Sequence, residues 1–105
     1  MAGAVRIGDG ESGRCDDGHK CCGHSRSGEC RSGSANVFVN GRGVFCRGDA
    51  GICNCPHSGA FYGKGGSGTV FANGKRIARV GDATRCMKCH LKGTLVEGSS
   101  DVLVG

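Results

Sequence analysis

The sequence predicts an all-β domain over residues 1–105, built from three β-hairpin repeats around a pseudo-threefold axis with connecting loops gathered at a metal-bound apex. Three observations predict it. The first is composition: 22 Gly, four Phe, one Tyr and no Trp among 105 residues leave little material for a packed core. No window carries apolar residues at helical spacing, and Gly interrupts every candidate. The second is self-similarity, since "GSANVFVNG" (33–41) returns as "GSGTVFANG" (66–74) and again as "GSSDVLVG" (98–105). The third is what the last copy lacks. It stops where its return strand should begin, and the missing piece, "VRIGD" (5–9), stands at the opposite end of the chain. The two ends must therefore meet, and three hairpin units close a ring.

Each element follows in order. Residues 5–9 supply the displaced return strand. Val37-Phe38-Val39 is a short outgoing strand, and Asn40-Gly41 is the strongest two-residue hairpin signal, because both positions tolerate positive φ. Gly43–Arg47 is the expected return. Val70-Phe71-Ala72, Asn73-Gly74 and Arg76–Val80 repeat this sequence of elements. A Gly-Asp pair ends each return, and Asp9, Asp49 and Asp82 read as turn residues whose carboxylates accept local N–H groups. Segments 10–32, 50–65 and 83–97 read as loops.

Those three loops hold all four His and every Cys except Cys46, which reads as a small buried hydrophobe. A Cys-x3-His pair recurs once per loop: Cys15 with His19, Cys53 with His57, Cys86 with His90. In the second and third loops the Cys stands four residues after the Gly-Asp aspartate; in the first it is displaced by two. Any four of these six side chains would complete a tetrahedral Zn²⁺ site, with iron the poorer fit and a disulfide cluster the competing reading. Cys21, Cys22, His24, Cys30, Cys55 and Cys89 could build a second site, pair as disulfides or stay reduced. The nine Cys are odd in number, so at least one thiol stands outside intramolecular pairing. Residues 86–90, "CMKCH", spell a haem attachment motif. However, the only methionine besides the initiator is Met87, inside the motif, and the chain has little with which to wrap a porphyrin.

The remaining chemistry is thin. No G-x-S-x-G is present, "GKGGSG" (63–68) lacks phosphate-loop spacing, and a closed structural zinc leaves no open position for catalysis. The formal charge of +5 is spread along the chain without a Lys/Arg run or stacking aromatics, which argues against nucleic acid. The N-terminus lacks the apolar segment of a signal peptide, so synthesis in a reducing cytoplasm is expected, where Cys/His clusters favour metal over disulfides.

"GSANVFVNGRGVFCRGD", "GSGTVFANGKRIARVGD" and "GSSDVLVG" resemble the repeats of PAAR-repeat proteins, and "GHKC" (18–21) and "CPH" (55–57) resemble loop motifs of that family. The resemblance implies a small cone of strands with a zinc held near its point by His and Cys. It implies a non-enzymatic tip, one per trimer, that caps the trimeric β-helical spike of a phage tail or type VI secretion system. Such a tip meets the target cell envelope transiently and takes no small-molecule substrate. Carried over by position, His19, Cys53, His57, Cys86 and His90 fall in ligand-bearing loops, with Cys15 or Cys21 as the first-loop thiol. The chain departs from the family in its many cysteines and its longer first loop, and leaves no room for a fused toxin or adaptor. The alternative is a free-standing zinc module that contacts nucleic acid or a protein partner.

Overall fold

The computed structural model describes residues 2–15, 24–54, 59–87 and 92–105. Among these the chain is all-β, running through β1 (Ala2–Gly3), β2 (Gly10–Cys15), β3 (His24–Cys30), β4 (Phe38–Val39), β5 (Arg42–Gly43) and β6 (Ala50–Cys53). It continues through β7 (Ala60–Gly63), β8 (Phe71–Ala72), β9 (Lys75–Arg76), β10 (Ala83–Cys86), β11 (Lys92–Leu95) and β12 (Leu103–Val104).

The two Asn-Gly turns form as their chemistry requires. Asn40 and Gly41 sit at φ 54° and 76°, and Asn73 and Gly74 at 53° and 79°, joining β4 to β5 and β8 to β9. The third unit is assembled from both ends of the chain: β1 pairs β12, with Ala2 opposite Val104 and Gly3 opposite Leu103.

The return strands are shorter than expected. Arg42–Gly43 and Lys75–Arg76 pair within their hairpins, and one further N–H stays there, Val44 to the Val37 carbonyl at 3.0 Å and Ile77 to Val70 at 3.1 Å. The residues after these leave the hairpin because their backbone groups are taken by neighbouring repeats around the axis. Val5 N–H donates to the Ala78 carbonyl at 3.0 Å, Ala78 N–H to Phe45 at 3.0 Å, and Phe45 N–H to Val5 at 2.8 Å. The cycle closes on itself, and single bridges Ala4–Arg79, Arg6–Val44 and Cys46–Ile77 flank it.

Each crossing segment then turns sharply. Gly8, Gly48 and Gly81 adopt φ of 93°, 93° and 95°, a region that strains side-chain-bearing residues. The aspartate that follows closes the turn as the sequence indicated. Its carboxylate accepts the backbone N–H three residues back, at 2.8 Å for Asp9 and Asp82 and 2.9 Å for Asp49. Each also holds a cation: Arg6 on Asp9, Lys75 on Asp49 and Arg79 on Asp82. Ser34, Ser67 and Ser99 each accept an N–H from the valine three residues on, which seats the next outgoing strand.

The main correction concerns the three segments read as loops, because most of each is strand. Hairpins β2–β3, β6–β7 and β10–β11 join edge to edge into a closed antiparallel barrel of order β10-β11-β2-β3-β6-β7. The molecule is elongated, 40 × 23 × 23 Å. One apolar cluster of Ala4, Val39, Val44, Cys46, Ala72, Ile77 and Val104 lies among the short hairpins. A second, of Val5, Cys30, Phe45, Phe61, Ala78 and Leu95, fills the adjoining end of the barrel. Cys46 is fully enclosed, as expected of a small hydrophobe.

Two substitutions test this frame by chemical denaturation. Phe45→Ala empties the centre of the second cluster and is expected to cost about 3–5 kcal/mol. Asp82→Ala leaves the Arg79 N–H without its acceptor and is expected to cost about 1–3 kcal/mol, with Asp49→Ala matching it because the two turns are equivalent.

Candidate metal centre at the barrel tip

Alternation of strand direction around the barrel makes β2, β6 and β10 run the same way. Their last residues, Cys15, Cys53 and Cys86, therefore stand at one end. Cys86 is fully buried between β7 and the barrel interior, with Phe61 opposite it, and Cys53 is half-buried beside Gly28. The backbone of Cys15 pairs with that of His24. The structure thus brings the three strand-end cysteines to the same end of the barrel. His19, His57 and His90 lie outside the described residues, as do Cys21, Cys22, Cys55 and Cys89. Among the described residues no three His, Cys, Asp or Glu side chains converge as a metal site would require.

The displacement of Cys15 by two residues has a structural counterpart. The position equivalent to Cys53 and Cys86, four residues after the turn aspartate, is Gly13 in the first repeat. A Cβ on Gly13 would lie 2.8 Å from Cζ of Arg26, so a guanidinium occupies the space that a side chain fills in the other two repeats. The first hairpin runs on to the Cys15–His24 pair, four residues past Glu11 and Gly28.

Arg26 belongs to a polar layer inside the barrel that is not apparent from the residue pattern. Its guanidinium faces Glu11, with Nε 3.3 Å from Oε1, and both side chains are wholly excluded from solvent. Thr84 donates its hydroxyl to Glu11 Oε2 at 2.7 Å, and Arg26 Nη1 donates to the Arg14 carbonyl at 3.0 Å. Room for these groups comes from Gly93, whose absent Cβ would fall within 2.6 Å of Arg26, Thr84 and Glu11 at once. Burying an ion pair is costly unless its hydrogen bonds are met, and here the carboxylate has both a cation and a hydroxyl. The layer lies immediately below Cys86, since Thr84 and Cys86 are successive inward positions of β10.

Two other cysteines separate from the tip. Burial first, then the carboxylates of Asp9, Glu11, Asp49 and Glu29, push the Cys30 thiol up to about 12. Burial, then Asp49, raises Cys46 as well. Both pack as apolar side chains in the two core clusters, Cys30 beside Phe45 and Phe61 and Cys46 beside Val44 and Ile77.

Comparison with known families adds one match: the PAAR motif, over residues 55–105. These residues contain the second and third Gly-Ser strand units and Cys86, but not Cys15 or Cys53. No curated protein matches the chain.

Two measurements probe the interior. Arg26→Met leaves the Glu11 carboxylate buried without its cation and is expected to cost about 3–5 kcal/mol in urea denaturation. The double variant with Glu11→Met is expected to recover most of that loss. In peptide mapping after alkylation at pH 8, Cys30 and Cys46 are expected to remain unmodified in the folded chain and to react once it is denatured.

Proposed function

This chain is a PAAR-repeat protein, and from that premise we propose that it is the structural, non-enzymatic tip of the trimeric β-helical spike of a contractile injection machine. The observation that carries the reading lies at the end opposite the cysteines. Phe38, Phe71 and Leu103 occupy equivalent positions of β4, β8 and β12 and are 59, 51 and 51% exposed. Val70 and Val102 extend the same surface. Large apolar side chains left in solvent at threefold-equivalent positions suit burial against three identical chains. One tip per trimer follows from that match.

A tip must resist compression while remaining small. The axial hydrogen-bond cycle and the packed barrel supply part of that stiffness, and a metal across the strand ends would supply the rest. Thiolates of Cys15, Cys53 and Cys86 with imidazoles of His19, His57 and His90 form a soft donor set that fits Zn²⁺ better than iron. Bound there, the ion would cross-link the three hairpins and do no chemistry on a substrate. Nucleic acid and small molecules have no place in this reading. The chain would be made in the cytoplasm, assembled onto the particle and delivered to the target envelope.

Mixing the chain with a trimeric β-helical spike and measuring the mass of the complex tests the reading. One chain per trimer is expected. Phe38→Asp, Phe71→Asp and Leu103→Asp together should abolish capture while leaving the melting temperature nearly unchanged, because all three side chains are exposed. Elemental analysis should find about one zinc per chain. Cys86→Ser or His57→Ala should lower it and Cys46→Ser should not; equal zinc in all three variants contradicts the ligand set.

A further inference from the structure

The outer wall of the barrel is not neutral all round. Arg85 of β10 stands directly opposite Tyr62 of β7 on one side and Lys92 of β11 on the other. The inward pair Gly93–Gly13 fixes the next register step, which sets exposed Lys92 beside exposed Arg14 of β2. Three cationic side chains and a tyrosine thus form one unbroken row across four strands, with no acidic residue in it. Met87, 43% exposed, follows the end of β10, two residues beyond Arg85.

The repeat itself shows that the scaffold does not require this row. The positions equivalent to the Arg85–Lys92 pair are Ser12–Ser27 in the first hairpin and Ile52–Ala60 in the second. Those equivalent to Arg14 are Asn54 and Met87. The same scaffold therefore closes with small, neutral or apolar side chains at these sites. Like charges placed directly across a ladder do not stabilise a sheet. Among the described residues, the outward positions of β3 and β6 are Ser25, Ser27, Glu29, Ala50 and Ile52, none of them a cation.

We propose that the β7–β10–β11–β2 wall is a contact surface for the phosphate headgroups of an anionic lipid membrane. The row is convex and has no groove to track a nucleic-acid strand, and it offers one aromatic side chain where single-strand binders stack several. A membrane surface makes no such demand. Cations meet its phosphates, while Tyr62 and Met87 suit the boundary between headgroup and acyl chain. A guanidinium has five donors, so an arginine that already holds one partner still presents N–H groups to a phosphate oxygen. This inference rests on the tip reading, because the wall lies beside the end that would meet the envelope. It fails separately from that reading, since a chain that caps the spike but ignores anionic vesicles overturns this inference alone.

The test is flotation of the full chain with phosphatidylcholine vesicles, with and without phosphatidylglycerol, at low and physiological salt. Retention is expected only with the anionic lipid and should fall as salt rises. Each lost charge should weaken it roughly fivefold, so Arg14→Gln, Lys92→Gln and Arg85→Gln together should reduce it by about two orders of magnitude. A control with the same charge loss elsewhere, Arg31→Gln, Arg47→Gln and Lys75→Gln, should keep most of its binding. Lys92→Gln alone, at a position that is Ser27 or Ala60 in the other repeats, provides the test if the triple variant does not fold. Equal loss in control and wall variants, or equal retention on neutral vesicles, overturns the proposal. Displacement by millimolar inorganic phosphate reassigns the row to a free anion, and tighter binding to DNA than to vesicles reassigns it to nucleic acid; either result overturns the lipid.

Discussion

Three backbone hydrogen bonds, from Val5 to Ala78, Ala78 to Phe45 and Phe45 back to Val5, hold everything else in place. They run between repeats rather than within one, so no single repeat can form its share alone. Their closure forces each return strand to leave its hairpin after three residues. It fixes where the glycine turns must fall and so aims the three barrel hairpins along one axis. A chain with so little apolar material cannot organise itself by core volume. It does so by cyclic backbone pairing, with small apolar clusters on either side of the cycle.

The same economy explains the interior of the barrel. Six strands enclose so little space that several inward positions beside a large neighbour are glycine: Gly13 and Gly93 beside Arg26, Gly51 beside Phe61, and Gly63 beside Phe45. Glu11, Arg26 and Thr84 are admitted because Gly13 and Gly93 give way to them. That layer also breaks the symmetry. Where the second and third repeats place a cysteine below the tip, the first places a glycine filled by a guanidinium. Its own cysteine is carried two residues higher on a longer hairpin.

What the sequence made legible, and what it hid, divides along the same line. The Asn-Gly turns, the Gly-Asp turns and the meeting of the chain ends were readable because local backbone chemistry specifies them. Asn40, Gly48 and Asp82 behave as their residue types dictate. The barrel was hidden because its strands lack the apolar alternation by which strands are recognised. In β2 the inward positions Glu11 and Gly13 are a charge and a void, and in β3 the sequence "HSRSGEC" reads as polar loop while burying Arg26. Alternating glycines in the three segments were the available signal of a narrow interior. The repeat register also matches the placement of Cys15, Cys53 and Cys86 at the ends of β2, β6 and β10. Cys30 did not separate from them until burial was known, because spacing alone does not distinguish a thiol at a strand end from one in the core.

Symmetry and its loss also sort the surface by what it can do. A pseudo-threefold body set on a truly threefold partner meets three identical sites and can dock in any of three registers. Its docking residues must then be interchangeable, and Phe38, Phe71 and Leu103 are: all large, apolar, exposed and in one register. If the trimer is met only at the short hairpins, no such constraint acts on the barrel. There the repeats differ freely, with Ser12, Ile52 and Arg85 at one equivalent position and Gly13, Cys53 and Cys86 at another. Equivalence at one end and divergence at the other is what a body needs if it binds a trimer by its base and presents a single, asymmetric surface elsewhere.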